Sequence, residues 1–445
     1  MIRRLVYRGY RLVAAVAYRV SRRFTKAGLS VLAGLAVTAG LGFDTEQTMS
    51  YQVFSLLLAL LLVAIVFTFF FRVRMAASRI LPRFGTAGCP LRYRVVLKNN
   101  TAKAQSGLVL LENLADPRPT CEDFIAEQLA EEQRLKSLRL VRKARSNGVR
   151  MAQVKEQPLS QLPPRHEAEV QIEMMPLKRG ALRFTGLTIA RPDPFGLCKA
   201  FITLPMAQSV LILPKRYPLP PIALPGTRKY QPGGVAMASA VGESEEFISL
   251  REYRQGDPLR HIHWKSWAKV GRPIVKEYQD EFFVRHALVL DTFLEAGSRE
   301  VFEEAVSVAA SFACTVQTQE SLLDLMFVGV EAFCFTAGRG LAHTDQMLEI
   351  LASVRVCREK QFNSLLRLVL EHVAALSGCI CIFLSWDAQR KKFVEYLKMI
   401  GVPLLVLIMT EEGAAGALDP GPLRDQPECF HVLEAGKVEE GLASL

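Results

Sequence analysis

No acidic residue precedes Asp44, so the first 43 residues cannot bind a metal through carboxylates and cannot balance their own positive charge. The chain has nine cysteines but no Cys-x-x-Cys pair. The cysteine number is odd, and several lie inside apolar runs. This excludes a disulfide framework and a thiolate zinc site, and reads as free thiols in a reducing compartment. There is no phosphate-cradling glycine loop. Only three tryptophans and seven histidines occur in 445 residues, and single cores rarely grow much beyond ~250 residues, so two or three domains are expected.

Charge is scarce in two places. Residues 27–43 (AGLSVLAGLAVTAGLGF) and 53–71 (VFSLLLALLLVAIVFTFFF) carry none. Roughly 17–25 apolar residues cross a bilayer as a helix, so a two-helix transmembrane hairpin is predicted over 27–71. Before it lies a basic leader, 1–26, with Arg3, Arg4, Arg8, Arg11, Arg19, Arg22, Arg23 and Lys26. After it come Arg72, Arg74, Arg79 and Arg83, whereas the connecting loop holds Asp44 and Glu46. Both ends are then cytoplasmic by the positive-inside rule. Small residues four apart (Gly34/Thr38, Ala36/Gly40, Thr38/Gly42) would let the two spans approach closely. Twelve of the Arg and Lys residues, against two acids, fall within residues 1–83, so the membrane flanks explain nearly all of the net charge of +11. The leader is expected to lie along anionic headgroups, and a nucleic-acid partner loses its main argument.

A β-rich, antiparallel sandwich-like domain is predicted over 85–215, from alternating runs such as LRYRVVLKNN and EAEVQIEMM. A charged helical insertion interrupts it near 121–150. In Asp193-Pro194-Phe195-Gly196-Leu197, Pro194 fixes φ, Gly196 permits a left-handed turn, and Phe195 and Leu197 are expected to fold back onto the core. A Pro/Gly-rich linker, 216–241, follows. From 284 to 445 strands and helices alternate (HALVLD, LLDLMFVGV, AFCFTA, GCICIFLS and VPLLVLIM between helical segments), which predicts an α/β doubly wound sheet. Cys379 and Cys381 share one face of a strand and are expected to pack there.

Between linker and α/β domain, residues 242–283 contain LREYRQGDPLRHIHWKSWAKVGRPIVKEY, with two of the three tryptophans. Asp257-Pro258 reads as a helix start and Gly271 as its stop. On such a helix His261 and His263 point apart, a poor metal pair, while Trp264 shares a charged face with Arg260, His261, Lys265 and Lys269. The candidate binding or domain-junction residues are Arg251, Glu252, Tyr253, Arg254, Asp257, Arg260, His261, His263, Trp264 and Lys265. A metal-dependent hydrolase built on Asp257 and His261 is the competing reading, but no Ser or Cys nucleophile accompanies them. A membrane-surface nucleic-acid binder is the third.

Gly242, Glu246-Phe247, Leu250-Arg251-Glu252-Tyr253, Gly256-Asp257, Arg260-His261-Ile262-His263-Trp264-Lys265 and Ala268 together resemble the signature of the bacterial domain-of-unknown-function 58 family. Arg179-Gly180 and the Asp193–Leu197 turn match its upstream region. The resemblance implies an α/β domain similar to a von Willebrand factor type A domain and a multi-pass protein of the bacterial inner membrane, with most of the chain cytoplasmic. It also implies a non-enzymatic adaptor for a MoxR-type AAA+ ATPase, with a transglutaminase-like membrane protein as a further partner. No cofactor is expected. A type A domain that binds Mg²⁺ carries Asp-x-Ser-x-Ser after its first strand. Here Phe293 and Glu295 replace both serines, which leaves Asp291, Thr344 and Asp387 as weak metal candidates.

Overall fold

In the computed structural model, described for residues 2–41, 48–116, 151–220, 229–230, 247–255, 257, 259, 262–278, 282–294, 299–315, 321–338, 344–411, 413 and 418–445, the chain divides into two units, Met1–Leu213 and Pro214–Leu445. The expected insertion at 121–150 lies outside the described residues.

The basic leader folds as α1 (Ile2–Arg23). Val6, Leu12, Val13 and Val16 stay largely exposed on it, away from most of its arginines at helical spacing. The next helix, α2 (Lys26–Leu41), is apolar but short, whereas α3 (Thr48–Phe69) contains Met49–Phe69, long and apolar enough to cross a membrane. Only 6% of its apolar window is buried by protein, unlike the core helix of a soluble domain. The helices α2 and α3 pack together. Of the small residues expected at their contact, Gly34 approaches α3: a Cβ there would sit 3.4 Å from Leu57 Cδ1. A Cβ on Gly40 would touch nothing, and the Thr38 hydroxyl donates back to the Gly34 carbonyl of its own helix at 2.9 Å.

Strands begin at Met75, earlier than the predicted 85. They are β1 (Met75–Ile80), β2 (Phe84–Thr86), β3 (Leu91–Asn99), β4 (Val109–Leu114), β5 (Ala152–Val154), β6 (Gln157–Pro158), β7 (Glu167–Pro176), β8 (Gly180–Pro192) and β9 (Lys199–Leu213). They form a four-stranded sheet, β1-β3-β7-β5, and a five-stranded sheet, β2-β9-β8-β4-β6. All pairings are antiparallel except β2 with β9. Period-two alternation sets the two faces. Leu91, Tyr93, Val95 and Leu97 of β3 join Ile172, Phe184, Ile189 and Ile212 in one core, while Arg92, Arg94 and Lys98 face outward onto Glu173, Glu169 and Glu167 of β7. Inside, Arg79 forks onto Glu112 (Nη2–Oε2 2.5 Å, Nε–Oε1 3.2 Å), and the Tyr93 hydroxyl donates to Glu112 at 2.9 Å. This network joins β1 and β3 of one sheet to β4 of the other.

The Asp193–Leu197 turn behaves differently from expectation. The Asp193 carboxylate accepts from the N–H groups of Phe195 (2.6 Å), Leu197 (3.1 Å) and Cys198, and Gly196 takes φ +67°. The turn, however, packs on the apolar helices and not on the sheet core. Leu197 and Cys198 cluster with Ala64 of α3. Phe195, half exposed, meets Phe67 of α3 edge-on at 6.4 Å. Thr25, between α1 and α2, donates its hydroxyl to the Gly196 carbonyl at 2.5 Å.

In the second unit the start of the predicted linker is held down: the Tyr217 N–H donates to Ser311 Oγ at 2.8 Å and its hydroxyl to Glu304 at 2.5 Å. Both partners lie on α5 (Arg299–Thr315). A short strand, β10 (Lys229–Tyr230), pairs with the start of β13 (Phe282–Leu290). Further strands are β14 (Ser321–Val328), β15 (Ala332–Ala337), β16 (Gly378–Phe383), β17 (Leu404–Thr410) and β18 (Phe430–Glu434), ordered β15-β14-β13-β16-β17-β18. The β15 strand runs antiparallel to β14, and the pairings from β14 through β18 are parallel. One face is covered by α7 (Asn363–His372) and α8 (Ala388–Met399), through Leu365, Phe393 and Leu397 against Ala287, Val289, Cys379 and Cys381. Against the other lies α5, with α6 (Thr344–Ser353) beside it. The closing β18 and α9 (Val438–Ala443) were not anticipated from the sequence.

Candidate functional site

The 250–278 stretch folds as a small separate element. Two strands, β11 (Phe247–Glu252) and β12 (Ile274–Tyr278), pair antiparallel, with Arg251 opposite Val275 and Glu252 opposite Ile274. The returning chain is pinned onto β12: Tyr253 N–H donates to the Pro273 carbonyl (3.0 Å), His263 N–H to the Ile274 carbonyl (2.8 Å), and Ile262 bridges Val275. Ile262 and Val275 are buried.

Asp257 is paired with Arg251. Its two carboxylate oxygens take the Arg251 fork at 2.7 and 2.8 Å, and Oδ2 also accepts the Arg254 N–H at 2.8 Å. A two-pronged guanidinium–carboxylate pair is strong and directional, so Asp257 ties the chain after β11 back to that strand. The Arg251 and Arg254 contacts hold its carboxyl down at about 2. The helix begins later, as α4 (Trp264–Val270), with His263 in the N-cap position and its Nδ1 sharing a 2.6 Å hydrogen bond with Ser266 Oγ. Its end is as expected: Gly271 adopts φ +74° and its N–H caps the Trp267 carbonyl. Ile262 and His263 are not helical, so 259–270 is not one continuous helix, and the argument that such a helix sends His261 and His263 to opposite faces lapses.

No residue of α4 is buried. Trp264 is 65% exposed and stacks on Trp267 (centroids 5.1 Å apart, planes at 18°). Leu250, Leu259 and Val270 are also exposed, as are Arg254, Lys265, Lys269 and Arg272. Glu252 is taken by Arg272 at 2.5 Å. Tyr253 is half-buried. Arg260 and His261 lie outside the described residues. The element thus presents aromatic and apolar groups with cations around them, and its one described aspartate is committed to Arg251.

The metal candidates resolve into a different arrangement. Asp291 follows β13 and Asp387 follows β16. In an open sheet of this order the crevice between those two strands, at their carboxyl ends, is where ligands bind. Arg390 fills it. This fully buried guanidinium donates to Asp291 Oδ2 through Nε (3.1 Å) and Nη2 (3.0 Å), to Asp387 Oδ2 through Nη1 (2.5 Å) and to the Phe293 carbonyl (2.9 Å). The ring of Phe362 lies 4.3 Å from its Cζ. Asp291 also accepts the N–H groups of Phe293 (2.8 Å) and Leu384 (3.2 Å). Burial pushes its carboxyl up, against the pull of Arg390 and those N–H groups. Asp387 caps α8 through the N–H groups of Gln389 and Arg390. Thr344 begins α6. Among the described residues no group of three or more His, Cys, Asp or Glu could hold a metal ion. The residues present do not fit Mg²⁺, because a tethered guanidinium already occupies the space between the two carboxylates.

Sequence reasoning missed Arg390. The available signal was a cation in the first turn of a helix, where the dipole disfavours positive charge.

Residues 249–373 match the family model described as Protein of unknown function DUF58. The matched segment runs from β11 through α7 and so includes both Asp257 and Asp291. The chain is also similar to "Uncharacterized protein YeaD" of Bacillus subtilis (strain 168), at 25% identity over 184 residues. That alignment covers 40% of this chain and 44% of the relative's length. Among solved structures, a mutant of Salmonella alpha-2-macroglobulin aligns at 14% identity over 40% of this chain and 9% of that one. Its TM-score is 0.19, too low to support an argument about fold.

Proposed function

We propose that this chain is a non-enzymatic scaffold anchored in the bacterial inner membrane, which offers the 250–278 element to a protein partner. The carrying observation is the 65% exposure of Trp264 on a helix with no buried residue. A large aromatic held in water by a stacked neighbour and surrounded by cations is the composition of a protein-binding hot spot. The aspartates of both candidate centres are committed to arginines, which supports an adaptor over a hydrolase. In our reading α2 and α3 both enter the bilayer, making the protein multi-pass with most of its mass cytoplasmic. The β15-β14-β13-β16-β17-β18 order supports a von Willebrand factor type A-like domain that works without Mg²⁺. The partner class we favour is a MoxR-type AAA+ ATPase, with a transglutaminase-like membrane protein second.

The test is a crosslinked pull-down from the native membrane with the full chain in detergent, comparing wild type with Trp264→Ala. Loss of an aromatic hot spot costs at least ~2 kcal/mol, roughly thirtyfold in affinity. Recovery of the ATPase by wild type and its loss in the variant is the expected result. Equal recovery by both, or none by wild type, refutes the proposal.

A further inference from the structure

One cavity of the first unit takes no part in the function proposed above. It has a volume of about 570 Å³ and lies where the last turns of α1 meet the sheet face of β4, β8 and β9. Arg19, Arg22 and Arg23 line it from the helix, and Asn113, Thr188 and Thr203 from the sheet. No carboxylate is among its lining residues.

The polar groups are already oriented. Arg22 Nη1 donates to Asn113 Oδ1 at 2.7 Å and to the Tyr18 hydroxyl at 3.0 Å. Asn113 is fixed in turn by Thr188 (Nδ2–Oγ1 2.8 Å), which shares a hydrogen bond with Thr203 at 3.2 Å. Arg22 Nη2, by contrast, is buried and has no partner among the described residues. A guanidinium with one nitrogen anchored and the other unused is arranged to receive an acceptor oxygen, and planar forks of this kind recognise phosphate through two prongs. The C-terminal end of a helix contributes only about half a negative charge, so three guanidinium groups outweigh it and the cavity is net positive.

We propose that this cavity binds a phosphate group, and that its source is the headgroup of an anionic phospholipid. The phosphate chemistry follows from the cavity alone. The choice of lipid rests on the membrane-anchored reading: the cavity adjoins the start of α2, and α1 carries an exposed apolar stripe (Val6, Leu12, Val13 and Val16) suited to lying in the headgroup region. A phosphate held by Arg22 would fix α1 flat against the sheet at the level of the lipid headgroups.

The experiment uses the full chain in neutral detergent and follows its thermal unfolding against three probes: phosphatidylglycerol, phosphatidylcholine and inorganic phosphate. Variants are Arg22→Met, Arg19→Gln and Arg8→Met. Arg19 is exposed, so its loss should leave folding intact, and Arg8 removes the same charge from outside the cavity. Phosphatidylglycerol is expected to stabilise wild type and Arg8→Met, and to bind at least tenfold more weakly to Arg22→Met and Arg19→Gln. Inorganic phosphate should compete only at much higher concentration. Equal binding by all four proteins, or equal losses in Arg8→Met and the cavity variants, overturns the site. Inorganic phosphate binding as tightly as phosphatidylglycerol overturns the lipid as source. Carbonate extraction run alongside separates the readings: release of the chain from membranes sinks the anchor, whereas Arg22-dependent phosphate binding stands without it.

Discussion

Replacing Arg390 by methionine keeps most of the volume of the side chain and removes its charge, so the outcome tests whether the guanidinium holds the two halves of the sheet together. Asp291 would remain fully buried, with only the Phe293 and Leu384 N–H groups against its carboxylate. Removing one partner of a buried pair costs ~3–5 kcal/mol. For a domain of this size each kcal/mol moves the midpoint by ~2–4 °C, which gives a fall of about 6–20 °C. The assay is thermal unfolding of the detergent-purified chain by Trp386 fluorescence, in a Trp264→Phe, Trp267→Phe background; Trp386 adjoins Asp387 and packs on Phe383. The sign of the pH dependence is fixed. Without Arg390 the folded-state pKa of Asp291 rises further above its unfolded value, so the loss is greatest at neutral pH and shrinks as acid protonates the folded carboxyl. Adding Asp291→Asn should recover most of the loss, since the neutral amide can still accept one N–H. A midpoint within ~3 °C of wild type, or a deficit unchanged between pH 7 and pH 4, would refute the role assigned to Arg390.

Acid should loosen the 250–278 element late. The folded pKa of Asp257 is depressed from 3.8 to about 2, so the contribution of the Arg251 pair is complete above pH ~4 and is lost as pH falls through about 2. Hydrogen exchange of the β11 and β12 amides reads this, and Asp257→Asn should abolish the acid step; a step retained in that variant would assign it elsewhere. At Gly28 a Cβ would lie 2.1 Å from the Leu197 carbonyl oxygen. Gly28→Ala is therefore expected to cost ~1–3 kcal/mol by overpacking and to expose the 193–198 turn to protease; unchanged cleavage would disprove that contact.

The sequence made long apolar runs, period-two strands and helix stops legible because each is local. Residues 53–71 announce α3, the alternation in LRYRVVLKNN sets β3, and Gly271 ends α4 through its own φ. What could not be read was decided by distant partners. Asp257 reads locally as a cap, and its pairing with Arg251, six residues earlier, is visible only in three dimensions. Phe195 and Leu197 look like core residues, yet Leu197 is buried against α3 and not the sheet, and Phe195 stays half exposed beside Phe67. Asp291 carries the mark of a cation site, and only the packing of α8 reveals that the cation is Arg390. In the 250–278 element the expected single helix gives way at Ile262 and His263, because their backbone pairs with the 274–275 strand and not along a helix.

The turn at Asp193–Leu197 has a mechanical consequence. The sheet domain is joined to α2 and α3 covalently at Phe71 and by contact at Thr25, Phe195 and Leu197. A single covalent link would leave a domain free to swivel about the helices. Attachment at separate points removes that rotation, so the sheets must tilt whenever the helices tilt. A change in the packing of α2 and α3 would then reach Leu213, at the far end of β9, as a displacement rather than being absorbed by a flexible joint.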